Sequence, residues 1–97
     1  MFELYLTPEA RDTYQSLKSD ASQQKRYKAV KKTLKLLAAD PRHNSLQTHE
    51  FTSLKGPGGE KVFEAYAEQQ TPVAYRIFWY YGPAKGCITI VTVTPHP

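Results

Sequence analysis

Residues Val73 to Tyr81 read Val-Ala-Tyr-Arg-Ile-Phe-Trp-Tyr-Tyr. A run so dense in aromatic and β-branched side chains predicts a strand that needs cover on at least one face. Turn-forming residues flank it, Gln69 to Pro72 before and Gly82 to Gly86 after. Beyond these turns lie two more strand-like runs, Val62 to Ala67 and Cys87 to Val93. Connections of four or five residues make antiparallel neighbours, because a parallel crossover needs a dozen residues or more. Upstream, Gly56-Pro57-Gly58-Gly59 is a further turn, and Phe51 and Leu54 begin an edge strand.

The N-terminal part changes period. Phe2, Leu4 and Leu6 alternate with Glu3 and Tyr5, which predicts a short strand. Thr7-Pro8-Glu9 then signals a helix start: a capping hydroxyl, a proline suited to the first helical position, and an acid at the positive end of the dipole. Ala10, Tyr14 and Leu17 follow at helical spacing, and Asp20 to Ser22 breaks the helix. A second helix is predicted from Ser22 to Ala39, with Tyr27, Val30, Leu34, Leu37 and Ala38 on one stripe. Asp40-Pro41 ends it. Arg42 to Glu50 reads as an irregular connection carrying His43 and His49. The expected fold is α+β, a single domain over residues 1–97: an N-terminal strand, a two-helix hairpin, then an antiparallel sheet of three to four strands.

Charge is placed unevenly along this framework. Lys25, Arg26, Lys28, Lys31, Lys32 and Lys35 fall in one helical segment with no acid among them. The remaining seven basic and nine acidic residues leave the rest of the chain at −2. The whole positive excess therefore sits on one helix, the electrostatic footprint of a nucleic-acid or other polyanion surface. Like charges at i,i+4 weaken a helix, so the cluster is not explained by helix stability. A single cysteine, Cys87, excludes an internal disulfide and fits a reducing compartment. The start, Met-Phe-Glu-Leu-Tyr-Leu, does not read as a signal peptide, and the apolar runs are too short to span a bilayer. A cytoplasmic protein without membrane contact is expected.

Few residues are suited to chemistry. Arg76 stands alone among apolar neighbours, so it must face a partner acid such as Glu64, open solvent or a bound anion. A guanidinium fixed on a strand can hold a phosphate and stabilise added negative charge. His96 follows the last strand, which should lie beside the strand of Arg76, and an imidazole suits proton transfer at neutral pH. His49, Lys55 and Lys61 are further candidates for the same cleft. His43 and His49 lack the spacing of a metal motif, and no phosphate loop or nucleophile motif is present, so no metal or small-molecule cofactor is expected.

The order and spacing of four pieces resemble the RelE/ParE superfamily of type II toxins. The pieces are Phe-Glu-Leu-Tyr-Leu-Thr-Pro-Glu-Ala at the start, Asp-Pro-Arg-His-x-x-Leu after the second helix, the strand Ala-Tyr-Arg-Ile-Phe-Trp, and the ending Ile-Thr-Ile-Val-Thr-Val-Thr-Pro-His. The resemblance implies a toxin paired with an antitoxin protein. In its RelE-type members, it implies a ribosome-dependent mRNA endonuclease that uses the RNA 2′-hydroxyl as nucleophile. It matches Arg76 and His96 to site residues and leaves the general base open; on the residues' own chemistry, Lys55, Lys61 or His49 would complete the set. The helix of Lys25, Arg26, Lys28, Lys31, Lys32 and Lys35 would then grip ribosomal RNA. The chain departs from the pattern in its long Gly-Pro-Gly-Gly turn. Two other readings stay open: a ParE-like inhibitor of DNA gyrase without chemistry, and an inactive RNA-binding module.

Overall fold

The alternation and the helical stripes place their elements as expected, and the strands join into one five-stranded sheet. The computed structural model describes residues 1–69 and 73–95. Strand β1 (Glu3–Leu6) leads into helix α1 (Pro8–Ser19), and a 3-10 turn (Ala21–Gln23) joins it to α2 (Gln24–Ala39). Strands β2 (His49–Lys55), β3 (Lys61–Tyr66), β4 (Tyr75–Tyr81) and β5 (Cys87–Pro95) follow. The order across the sheet is β1-β5-β4-β3-β2. β2 to β5 form an antiparallel meander, as their short turns require. β1 pairs parallel with β5, Glu3 opposite Cys87 and Leu6 opposite Ile90. The helix pair is the long crossover that a parallel pairing needs.

The N-terminal strand and an antiparallel part of four strands, both within the expectation, make five in all, and β2 differs from the expectation in where it begins. Residues His49 and Glu50, assigned above to an irregular connection, are its first two, with His49 opposite Glu64 and Glu50 opposite Phe63. An edge strand exposed along most of its length needs no apolar alternation, so Phe51 and Leu54 marked the strand but its first two residues carried no signal. Between Glu50 and Lys55 the register shifts, a bulge that bends the edge. The turn expected at Gln69 to Pro72 lies, beyond Gln69, outside the described residues.

Pleating sends alternate side chains to opposite faces. Ala65, Ile77, Trp79, Ile88, Ile90 and Val93 pack with Ala10, Leu17, Val30, Leu34 and Leu37 of the helices into the main core. The opposite face carries a smaller cluster, Val62, Phe78 and Tyr80, flanked by Phe51 and Val91. No helical residue belongs to that cluster. Phe51 closes edge-on over Phe78 at a centroid distance of 4.9 Å.

Thr7 ties the helix layer to the sheet. Its Oγ1 accepts from the Ala10 amide at 3.1 Å and donates to the Val91 carbonyl at 2.6 Å. Thr7→Ala removes both bonds. It should cost about 1–2 kcal/mol of unfolding free energy, read as a lower denaturation midpoint in urea.

Candidate active site

Arg76 and Glu64 lie on the face of the sheet away from the helices, because Tyr66 is opposite Arg76 and Glu64 is opposite Phe78 in the β3–β4 register. His49 joins them from β2 as the cross-strand neighbour of Glu64. Glu64 is completely buried. Its Oε1 lies 2.7 Å from His49 Nε2 and its Oε2 lies 3.9 Å from Arg76 Nε. A buried carboxylate needs charged or hydrogen-bonding partners, and these two groups supply them.

Arg76 is held on three sides. Its Nη1 donates to the Glu68 carbonyl at 3.0 Å. Its Cζ stands 3.9 Å above the Tyr66 ring, a cation–π contact. Glu64 is the third support. The guanidinium is thus mostly buried, with its side chain 14% exposed. His49 is the accessible member, at 47%. Its ring meets the Tyr66 ring edge-on at 5.9 Å, and its Nδ1 lies 3.2 Å from the Gln47 carbonyl. Of the three alternatives expected for Arg76, the structure shows the partner acid, Glu64. Tyr66 and Glu68 escaped the sequence reading. Counting back from the β3–β4 turn would have put Tyr66 opposite Arg76.

The other candidates are placed elsewhere. Lys55 pairs with Lys61, and both approach Glu50, at 3.7 and 4.0 Å. Lys61 is an odd-numbered residue of β3, on the face opposite Tyr66 and about 17 Å along the strand. The structure therefore does not bring Lys55 or Lys61 to Arg76. His43 caps a 3-10 turn (Asn44–Leu46), its Nδ1 accepting from the Ser45 amide at 3.1 Å. His96 lies outside the described residues; β5 ends at Pro95, opposite Tyr75.

The basic segment divides in two. Lys28, Lys31, Lys32 and Lys35 line a hollow of about 310 Å³ on the outer face of α2, and Lys25 is exposed near its start. Arg26 belongs to a different structure. Its Nε donates to Glu68 Oε1 at 2.8 Å, its Nη2 donates to the Val73 carbonyl at 3.2 Å, and its Cζ covers the Tyr75 ring at 4.3 Å. Assigned above to the RNA-gripping set, Arg26 is instead committed to holding α2 against the β3–β4 connection. Glu68 completes this clamp by accepting the Tyr75 amide at 3.0 Å. A second groove of about 260 Å³, lined by Lys32, Thr33, Ser45, Tyr66, Ala67 and Gln69 among others, runs from the lysine ridge to the end of β3. Among the described residues, no group of three or more His, Cys, Asp or Glu is arranged to hold a metal ion.

No family model matches the sequence, and no curated protein sequence matches it. Its shape does have matches. A YoeB/ParE toxin from Agrobacterium tumefaciens superposes with a TM-score of 0.71 at 10% identity, over 99% of this chain and 100% of that one. The toxin of the YoeB–YefM toxin–antitoxin complex from Staphylococcus aureus gives 0.67 at 13%, over 100% and 99%. The archaeal RelE–RelB complex from Pyrococcus horikoshii OT3 gives 0.65 at 15%, over 97% and 93%. The chain has the fold of the RelE/YoeB/ParE toxins along its whole length. At such identities the likeness is one of architecture, and the site must be argued from its own residues.

The lysine ridge also acts on Tyr27. The Tyr14 hydroxyl donates to the Tyr27 oxygen over a long 3.5 Å. That bond, with Lys31, Lys18 and Lys35 nearby, lowers the Tyr27 pKa below the ordinary phenol value, while burial and the same bond raise Tyr14 to about 12. The signs are opposite. Stability from neutral Tyr14 is lost as pH rises towards 12, whereas Tyr27 contributes once its phenolate forms. An ultraviolet absorbance titration should show Tyr27 ionising ahead of Tyr14, and Tyr27→Phe should remove the early step.

Proposed function

We propose that this chain is the toxin of a type II toxin–antitoxin pair and acts as a ribosome-dependent mRNA endonuclease. The observation that carries this reading is the gathering of Arg76, His49 and Tyr66 on the helix-free face of a toxin-fold sheet. The lysine ridge on α2 supports it.

The chemistry is self-cleavage of RNA at one phosphodiester. The 2′-oxygen attacks the neighbouring phosphorus and loses its proton. The bond from phosphorus to the 5′-oxygen breaks, and that oxygen gains a proton. The products are a 2′,3′-cyclic phosphate and a 5′-hydroxyl. Arg76 stabilises the charge that builds on the phosphorane oxygens, a kind of contribution worth about 10²–10³ in rate. His49 carries a proton. Tyr66 holds Arg76 flat and lies where a base can stack, worth about 1–3 kcal/mol. His96 remains a second proton carrier in this proposal. Lys28, Lys31, Lys32 and Lys35 grip ribosomal RNA through its phosphates, which sets position and carries no sequence information. The antitoxin partner follows from the toxin reading, since RelE and YoeB neighbours are seen with RelB and YefM.

Cell-free translation with purified protein tests the proposal. Engaged mRNA should be cut at defined codons while ribosome-free RNA stays intact. Arg76→Ala should slow cleavage at least about 100-fold, and His49→Gln about 10²–10⁴-fold. Intact mRNA together with inhibited gyrase supercoiling would favour the ParE-like alternative; with neither effect, the protein is a binding module. Changing the four ridge lysines to Gln should weaken ribosome binding and flatten its salt dependence, measured by co-sedimentation across a salt series.

A further inference from the structure

Glu68 bonds through its amide, its carbonyl and its carboxylate, and only the carbonyl touches the site. We infer that Glu68 is a positioning residue for Arg76, and that Arg26 serves the reaction through Glu68 rather than by gripping RNA. The inference takes its reaction from the nuclease reading and its geometry from the hydrogen bonds at the end of β3.

β3 and β4 leave their regular ladder at this end. Tyr66 opposite Arg76 is the last regular pair. Beyond it, the Ala67 and Glu68 amides both donate to the Tyr75 carbonyl, at 3.2 and 3.1 Å. Two residues on one strand opposing one on the other is the count of a β-bulge, a device that re-aims groups beside active sites. The Tyr75 amide donates to Glu68 Oε1 at 3.0 Å. The carboxylate thus takes the place of a ladder carbonyl, and the Glu68 carbonyl turns to Arg76. It accepts from Arg76 Nη1 at 3.0 Å. A charged donor makes such a bond roughly twice as strong as a neutral one.

This bond settles which edge of the guanidinium meets the phosphate. Nε is buried and faces Glu64 Oε2 at 3.9 Å. Nη1 is held by Glu68. Among the described residues Nη2 has no hydrogen-bond partner, which leaves it for the phosphorane oxygens.

Arg26 fixes the other side of Glu68. Its Nε donates to Glu68 Oε1 at 2.8 Å, the same oxygen that takes the Tyr75 amide. Its Nη1 donates to Gln23 Oε1 at 3.3 Å and its Nη2 to the Val73 carbonyl at 3.2 Å. All three nitrogens therefore have partners inside the protein, whereas Lys28, Lys31, Lys32 and Lys35 are exposed. Without Arg26 the carboxylate loses its cation, and the bulge that aims the carbonyl loosens.

Assayed on ribosome-bound mRNA, Glu68→Ala should lower kcat about 10–100-fold with little change in KM. Glu68→Gln keeps an oxygen for the Tyr75 amide and should recover part of that loss. Arg26→Ala should lower kcat about 10-fold. It should leave the salt slope of ribosome binding unchanged, unlike Lys31→Gln. An unchanged kcat in folded Glu68→Ala overturns the positioning role. A salt slope reduced by Arg26→Ala as much as by Lys31→Gln overturns its assignment away from RNA. Side-chain NMR on ¹⁵N-labelled full-length protein reads the contact without the reaction, with Arg76→Lys identifying the Arg76 signals. Rotation of the Arg76 guanidinium should be slow in the wild type and faster in Glu68→Ala. If Glu68→Ala does not fold, Glu68→Gln and the wild-type spectrum decide: free rotation in wild-type protein overturns the inference. If wild-type protein cuts no mRNA, the nuclease reading falls, while the spectra still report whether Glu68 holds Arg76.

Discussion

A sheet with helices on one face must finish its other face with its own side chains, and here that finish includes a buried carboxylate. Glu64 sits at 0% exposure beside Phe78. Burying an unpaired carboxylate costs several kcal/mol, and the fold sets a polar partner on each neighbouring strand: the His49 imidazole from β2 and the Arg76 guanidinium from β4. The requirement also fixes register. A slip of one residue in β2 would turn His49 to the other face and leave Glu64 short of a partner. Stability and site geometry therefore depend on the same contact.

The second organising contact lies at one end of the sheet. Glu68 binds Arg26 and the Tyr75 amide through its carboxylate, and Arg76 through its carbonyl. One residue thus links the start of α2, the connection into β4 and the guanidinium of the site. Arg26 is spent on this link, which separates it from the lysines that follow. Lys28, Lys31, Lys32 and Lys35 have i,i+3 and i,i+4 neighbours of like charge, each such pair destabilising a helix by about 0.2–0.5 kcal/mol. The fold retains them against that cost while using the adjacent arginine for structure.

Much of the architecture was legible because it depends on period. The strands β3 to β5, both helices and the Thr7 cap follow from alternation, stripes and turn residues. Of β2 only the part from Phe51 was legible, since the exposed start of an edge strand has no apolar code, and so His49 was not recognised as a sheet residue. Arg76 was legible as a charge out of place, and Glu64 as one of its possible partners. Their joint contact with His49 was not, because it depends on register between three strands. Lys55 and Lys61 illustrate the converse error. They are near in sequence to a conspicuous turn, but strand parity sends them to the other face. Arg26 looked like one more base on a basic helix; only the packing of Tyr75 and Glu68 shows its different use.

The placement of the two basic features bears on why a ribosome is invoked at all. The lysine ridge is on the outer surface of the helix layer, whereas Arg76 and His49 are on the far face of the sheet. A stiff duplex, straight over about 150 base pairs, does not wrap from one face of the protein to the other. Either one single strand bends past the end of β3, along the groove that joins Lys32 to Tyr66, or two different RNA segments are engaged together. A free mRNA offers the first option at the full entropic cost of ordering the strand. A ribosome offers the second, with structured RNA for the ridge and an already extended message for the site. On the proposed reading, ribosome dependence follows from this separation: the ridge supplies binding energy that a short message cannot, and the cleft is left to do chemistry on whatever codon is presented to it.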